Sequence, residues 1–146
     1  MEDLFERFTV SILKLNKLVQ KIKVYEMKKF GLKSVHVMCL YYLYSHNGVT
    51  SSELVKLTLE DKAAISRALA TMRESGYAEY DPASHNAIVK LTPKGMELAE
   101  YIVGRAEAAV SAGSADFSPE EREFFYKSLI TISDNLEKYY LELSKN

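Results

Sequence analysis

The sequence predicts a mainly α-helical protein with one small β-hairpin, and three observations carry that prediction. Two short helices with their own start signals stand back to back between Thr50 and Ser75. Two β-rich segments follow at once, Tyr77 to Asp81 and Ala87 to Leu91, separated by the turn-forming run Pro82-Ala83-Ser84-His85-Asn86. Each end of the chain carries a long segment whose apolar residues recur every three or four positions, the period of a helix with one sticky side.

Composition sets the outer limits. With 146 residues the chain is expected to be a single domain, 1-146, and 47% hydrophobic content is ordinary for a folded protein. Net charge is -1, so any argument for nucleic acid must be local. Cys39 is the one cysteine, which excludes an internal disulfide framework and fits a reducing compartment. No apolar run reaches the roughly 18 residues of a spanning helix, and MEDLFERF is acidic and amphipathic, so the expected location is the cytoplasm, with no membrane partner. There is no Gly-rich phosphate loop, no HExxH and no GxSxG, so neither an enzyme nor a cofactor is expected.

The first helix is expected from about Glu2 to Lys29, with Phe5, Phe8, Ile12, Leu15, Val19 and Ile22 at 3,4,3,4,3 spacing, and Gly31 as its stop. Seven lysines between Lys14 and Lys33 face only Glu26, which reads either as a solvated face or as a contact for an acidic partner. Ser34 is the expected cap of a second helix that is apolar nearly all round, hence central, with Asn47-Gly48 closing it. Thr50-Ser51-Ser52-Glu53 is a capping box for the third helix, and Thr58-Leu59-Glu60-Asp61 a weaker one for the fourth, expected over about Leu59 to Ser75. Two capped helices joined by a brief turn are a helix-turn-helix signal, and a hairpin directly after them is a wing. In the fourth helix Ile65, Leu69 and Met72 form the buried stripe, while small and basic residues occupy the other side, a shape that fits a DNA groove.

Thr92-Pro93 opens the fifth helix, whose apolar side is read as Met96, Ala99, Val103, Ala106 and Val110, and AGSADF breaks it. Ser118-Pro119-Glu120-Glu121 is a full capping box for the last helix, with Phe125, Leu129, Ile132, Leu136, Tyr139 and Leu143 at 4,3,4,3,4 spacing. A winged core at 34-92 needs neither long terminal segment, so 1-33 and 93-146 are read as dimerisation helices. Their seams, Phe5, Phe8, Ile12 and Leu15 at one end and Phe125, Leu129, Ile132, Leu136 and Tyr139 at the other, are expected to bury in a homodimer. The alternative is a monomeric helix bundle.

At this point the sequence resembles the MarR family of transcriptional regulators. The likeness rests on Asp61-Lys62-Ala63-Ala64-Ile65-Ser66-Arg67, on Glu74-Ser75-Gly76-Tyr77 at the helix-to-wing turn, and on Leu91-Thr92-Pro93-Lys94-Gly95 after the wing. It implies a dimeric DNA-binding regulator, usually a repressor, on a pseudo-palindromic double-stranded operator, and in many members a small-molecule effector. The chain departs from the pattern in a wing tip, Ser84-His85-Asn86, without arginine, and in Thr58 and Glu60 where relatives carry apolar turn residues.

The residues expected at DNA are Arg67 first, then Lys62, Ala63 and Ser66, with Thr50 and Ser51 at a helix start, Arg73 late in the recognition helix, His85, Asn86 and Lys90 on the wing, and Lys94 after it. For Arg67 and Arg73 a surface ion pair is the competing reading, and for Thr50 and Ser51 a plain cap. His36 and Cys39 share a helix face but make only two metal ligands, so no metal is expected and a packed cysteine is the simpler reading. A ligand cavity near His36, Cys39, Tyr41 and Tyr42 stands against ordinary aromatic packing. Two further readings remain: a winged helix used only for protein contacts, and a thiol- or metal-responsive regulator using Cys39 and His36.

Overall fold

The structure, a computed structural model, describes residues 3-145 and divides into two compact units, the first ending at Ala106 and the second beginning at Glu107. The chain order is α1 (Ser11–Lys28), α2 (Ser34–Ser45), β1 (Val49–Thr50), α3 (Ser51–Thr58), α4 (Lys62–Glu74), β2 (Ala78–Glu79), β3 (Ile88–Leu91), α5 (Pro93–Gly113) and α6 (Pro119–Leu143). Among the described residues no helix is long and apolar enough to cross a membrane.

In the first unit, the expected helix start at Glu2 lies outside the described residues. The Asp3 carboxylate accepts the Phe5 and Glu6 N–H groups at 3.0 and 3.3 Å, satisfying donors that a helix start leaves open. One π-helical turn, Glu6–Val10, then leads into α1. Gly31 ends this helix at φ +67°, a conformation glycine adopts without a Cβ clash. The second helix is central, as its all-round apolar sequence requires: Val37, Cys39, Leu40 and Leu43 are buried. They pack with Met27, Leu54, Ile65, Leu69, Met72, Val89, Leu98 and Ile102 in one core. Ser34 is not the cap of α2; Lys33 holds that position in extended backbone, and the His36 ring accepts the Lys33 N–H at 2.8 Å. Nor is the left-handed residue immediately after the helix, because His46 is extended and Gly48 carries the positive φ, +97°.

The sheet has three strands, not two, in the order β1-β3-β2, all antiparallel. Val49 pairs with Val89 on one side of β3, and Ala78 with Leu91 on the other. A strand of two residues has no periodicity to read, which is why β1 is invisible in the sequence.

The fourth helix starts three residues later than expected. Thr58 is the last residue of α3 and its hydroxyl donates to the Leu54 carbonyl at 2.6 Å. Leu59 then turns left-handed, at φ +61°, and Asp61 caps α4 by accepting the Ala64 N–H at 2.7 Å. The buried side of α5 in this unit also differs from the expected stripe. It is Gly95, Leu98, Ala99 and Ile102, whereas Met96 and Ala106 are exposed. The helix carries two apolar stripes, and the one with a glycine is the one that meets the winged core: a Cβ on Gly95 would stand 1.8 Å from the Tyr77 carbonyl oxygen.

In the second unit, the Ser118 box forms as read, with the Glu121 N–H on Ser118 Oγ and the Ser118 N–H on Glu121 Oε1, both at 3.1 Å. Phe117 meets Phe125 edge to face at 5.9 Å, and an Arg122 guanidinium nitrogen donates to the Ser114 carbonyl at 3.3 Å. No residue of α6 is buried.

Candidate nucleic-acid interface

Capping places the candidate surface. The Thr50 hydroxyl accepts the Glu53 N–H at 3.2 Å while the Glu53 carboxylate accepts the Thr50 N–H at 3.0 Å, so α3 begins at Ser51 with a closed reciprocal cap. Thr50 is therefore engaged as a cap, and Ser51, half-buried, stands at the first helical position. On α4 the division between sides is clean. Ile65, Ala68, Leu69 and Met72 are buried, while Lys62, Ala63, Ser66 and Arg67 are exposed. Arg67 forms no ion pair among the described residues, so the competing reading with Glu60 or Glu74 finds no contact here.

The wing folds back toward this face. Asn86 sits at φ +54° at the end of the turn, and its side-chain oxygen accepts the Ser52 hydroxyl at 3.4 Å. Ser51 and Ser66, from the two helices, and Asp81, Ser84 and Asn86, from the wing, line one open cavity of about 180 Å³ floored by Leu69 and Val89. Ser51, Ser66 and Asn86 were expected at DNA separately, and the fold brings them together. Ser52 and Ser84 belong to the same surface and escaped the sequence reading; the one available signal was the unbroken Thr50-Ser51-Ser52 run of hydroxyls.

Other expected residues are committed elsewhere. The Arg73 guanidinium lies 5.8 Å over the Tyr80 ring, bracing the start of the wing. Lys94 donates to the Ser75 carbonyl at 2.9 Å and lies 4.6 Å over the Tyr77 ring, tying α5 to the end of α4. Lys90 is exposed on β3 opposite Glu79, and His85 is exposed at the tip.

The other candidate cluster does not share one surface. His36 and Cys39 are buried in the first unit's core, Tyr42 is half-buried and Tyr41 exposed, the two rings meeting edge on at 5.1 Å. Burial, and secondarily the Glu60 charge, pushes the Cys39 thiol up to about 12. Burial holds His36 below the ordinary histidine value, against the opposing effect of the Lys33 and Ala68 backbone groups. Among the described residues no three His, Cys, Asp or Glu side chains gather into a metal site.

The seam residues of the terminal helices are largely solvent-facing in the single chain. Phe5 is 72% exposed, Ile12 40%, Leu136 50% and Tyr139 59%.

Residues 30–86 match the model of the MarR family. That match covers less than half of the chain, and the likeness of the whole chain to solved MarR-family structures is one of fold. A MarR transcriptional regulator from Methanosarcina mazei Go1 superposes with a TM-score of 0.83 at 22% identity, over 95% of this chain and 94% of its own. A putative MarR-family regulator from Listeria monocytogenes, solved with a 26mer DNA, gives 0.80 at 19% identity, over 100% and 97%. BpsR of Bordetella bronchiseptica, whose DNA binding is regulated by 6-hydroxynicotinic acid, gives 0.75 at 21%, over 92% and 98%. No curated protein matches the chain. In that fold α3 and α4 stand where MarR structures have their helix-turn-helix, α4 in the place of the recognition helix, and β2–β3 in the place of the wing.

Proposed function

We propose that this MarR-fold protein is a sequence-specific DNA-binding transcriptional regulator of the cytoplasm, acting as a homodimer on a pseudo-palindromic operator, with repression as its mode. The observation that carries the reading is the recognition helix: it buries Ile65, Ala68, Leu69 and Met72 and presents Lys62, Ala63, Ser66 and Arg67 to solvent. Small residues let the helix backbone approach base edges, and a free guanidinium matches the O6/N7 edge of guanine. Ser51, Ser66 and Asn86 around one opening supply short hydroxyl and amide groups suited to phosphate oxygens. The exposed apolar seams of α1 and α6 support a second copy as the partner, since such continuous apolar surface is a docking liability in a lone chain.

The proposal includes a small-molecule effector, for which the Bordetella protein of the same fold supplies the precedent. The thiol-responsive alternative draws little support from a buried Cys39 whose thiol stays protonated. A protein-contact module is favoured only by the arginine-free wing.

Fluorescence anisotropy with DNA from upstream of the protein's own gene, against a scrambled duplex at two salt concentrations, tests the reading. Sequence-dependent binding that weakens steeply with salt supports it, because neutralised phosphates release counterions. Salt-insensitive, sequence-blind binding across a genomic fragment selection removes it.

A further inference from the structure

His36 is a titratable group that the proposed DNA contacts do not use, and its surroundings are unusual. It is 97% buried by exposure, at 3%, in the third position of α2. Its Nδ1 accepts the Lys33 N–H at 2.8 Å, which fixes the neutral ring with its proton on Nε2. That Nε2 is buried without a hydrogen-bond partner, and the ring as a whole feels the Ala68 backbone of α4. The Lys33 carbonyl lies 3.2 Å from the same Nδ1, so a second arrangement is one proton away. A protonated ring carries N–H on both nitrogens. It must give up the Lys33 N–H and donate to the Lys33 carbonyl instead, and it brings a full charge against the underside of α4.

We propose that His36 is a positioning residue for the recognition helix that works only when neutral, making DNA binding by this protein sensitive to mild acid. The proposal rests on the DNA-binding reading above. Burial and the Lys33 ammonium oppose protonation of the ring, whereas the Lys33 and Ala68 backbone groups favour it, so a charged ring changes its bonding to both the helix start and α4. Glutamine is the usual third-position partner in a capping box and can accept the same N–H without titrating, so His36→Gln separates the cap from the proton.

The experiment compares full-length wild type and His36→Gln for operator affinity between pH 7.5 and 5.5 at constant ionic strength. His46 and His85 are present in both proteins, so their titration cancels in the comparison. Wild type is expected to lose about threefold more affinity than the variant across that range, the part of a one-unit linked shift that develops before pH falls below both values. Parallel profiles overturn the proposal. Where His36→Gln does not fold, or no duplex binds at any pH, imidazole and amide resonances of the wild type decide. Ala68 and its α4 neighbours shifting with the His36 titration curve, at a midpoint below the ordinary histidine value, support the device. An α4 indifferent to that curve, or a His36 titrating at the ordinary value, sinks it.

Discussion

Arg105 grips one oxygen of Glu26 with two nitrogens, Nε at 3.1 Å and a terminal guanidinium nitrogen at 2.8 Å. The contact ties α5 to α1 within the first unit, and the neighbouring Lys29 extends it by donating to the Tyr101 hydroxyl and lying 4.4 Å over that ring. The Arg105 hydrogen bond comes first among the causes that hold the Glu26 carboxyl below its usual value. A carboxylate whose folded value is lowered contributes stability above its unfolded value, near about 4.3, and loses it as pH falls through the folded one. Glu26→Gln is therefore expected to lower the melting temperature modestly at neutral pH, with the gap to wild type closing as pH drops from about 5 toward 3. A gap constant across that range would remove the ion pair as its cause.

Arg67→Ala is expected to weaken operator binding by about 1–3 kcal/mol, the range for a base-edge contact, with little change in thermal stability because the side chain is exposed and forms no ion pair among the described residues. Titration against the operator and a duplex altered at one guanine separates a base contact, lost on one sequence, from a phosphate contact, lost on both.

Gly95→Ala is expected to be among the most damaging single-methyl changes. The new Cβ would stand 1.8 Å from the Tyr77 carbonyl oxygen, a backbone atom that cannot swing aside. The cost should reach or pass the top of the about 1–3 kcal/mol range for overpacking. Urea denaturation reads it directly; a loss under about 1 kcal/mol would mean the helix slides freely over the wing.

Cys39 is expected to resist a disulfide reagent in the native protein at pH 8, because burial pushes its thiol up to about 12. Reaction should proceed only at the rate of opening and become rapid in denaturant. Fast stoichiometric labelling of folded protein would contradict the burial.

The sequence was legible where side chains follow pairwise rules. Thr50 with Glu53, and Ser118 with Glu121, are capping boxes on paper and in the structure. The stripe Ile65, Leu69, Met72 is buried as its spacing requires. Reading failed where a competing local choice looked equally good. Thr58-Leu59-Glu60-Asp61 resembles a cap, but Thr58 satisfies the preceding helix instead and the left-handed Leu59 delays the next one to Asp61. Leucine is a poor candidate for positive φ, so nothing in its chemistry signalled the break. On α5 two apolar stripes competed, and the winner was decided by how closely Gly95 lets two backbones approach, a tertiary fact. The meeting of Ser51, Ser66 and Asn86 likewise depends on the wing's path rather than on any spacing along the chain.

The turn between the helix pair has a length that matters more than its letters. Because Leu59 stops one helix and Asp61 starts the next, inserting or deleting a single residue between them would rotate α4 by about 100° about its own axis. Such a rotation trades Arg67 for a core residue and turns Ile65 toward solvent. Substitution at Leu59, which is 92% exposed, can be absorbed, whereas a change of one codon in length cannot. Across related genes, this short span should therefore vary in composition while its residue count stays constant.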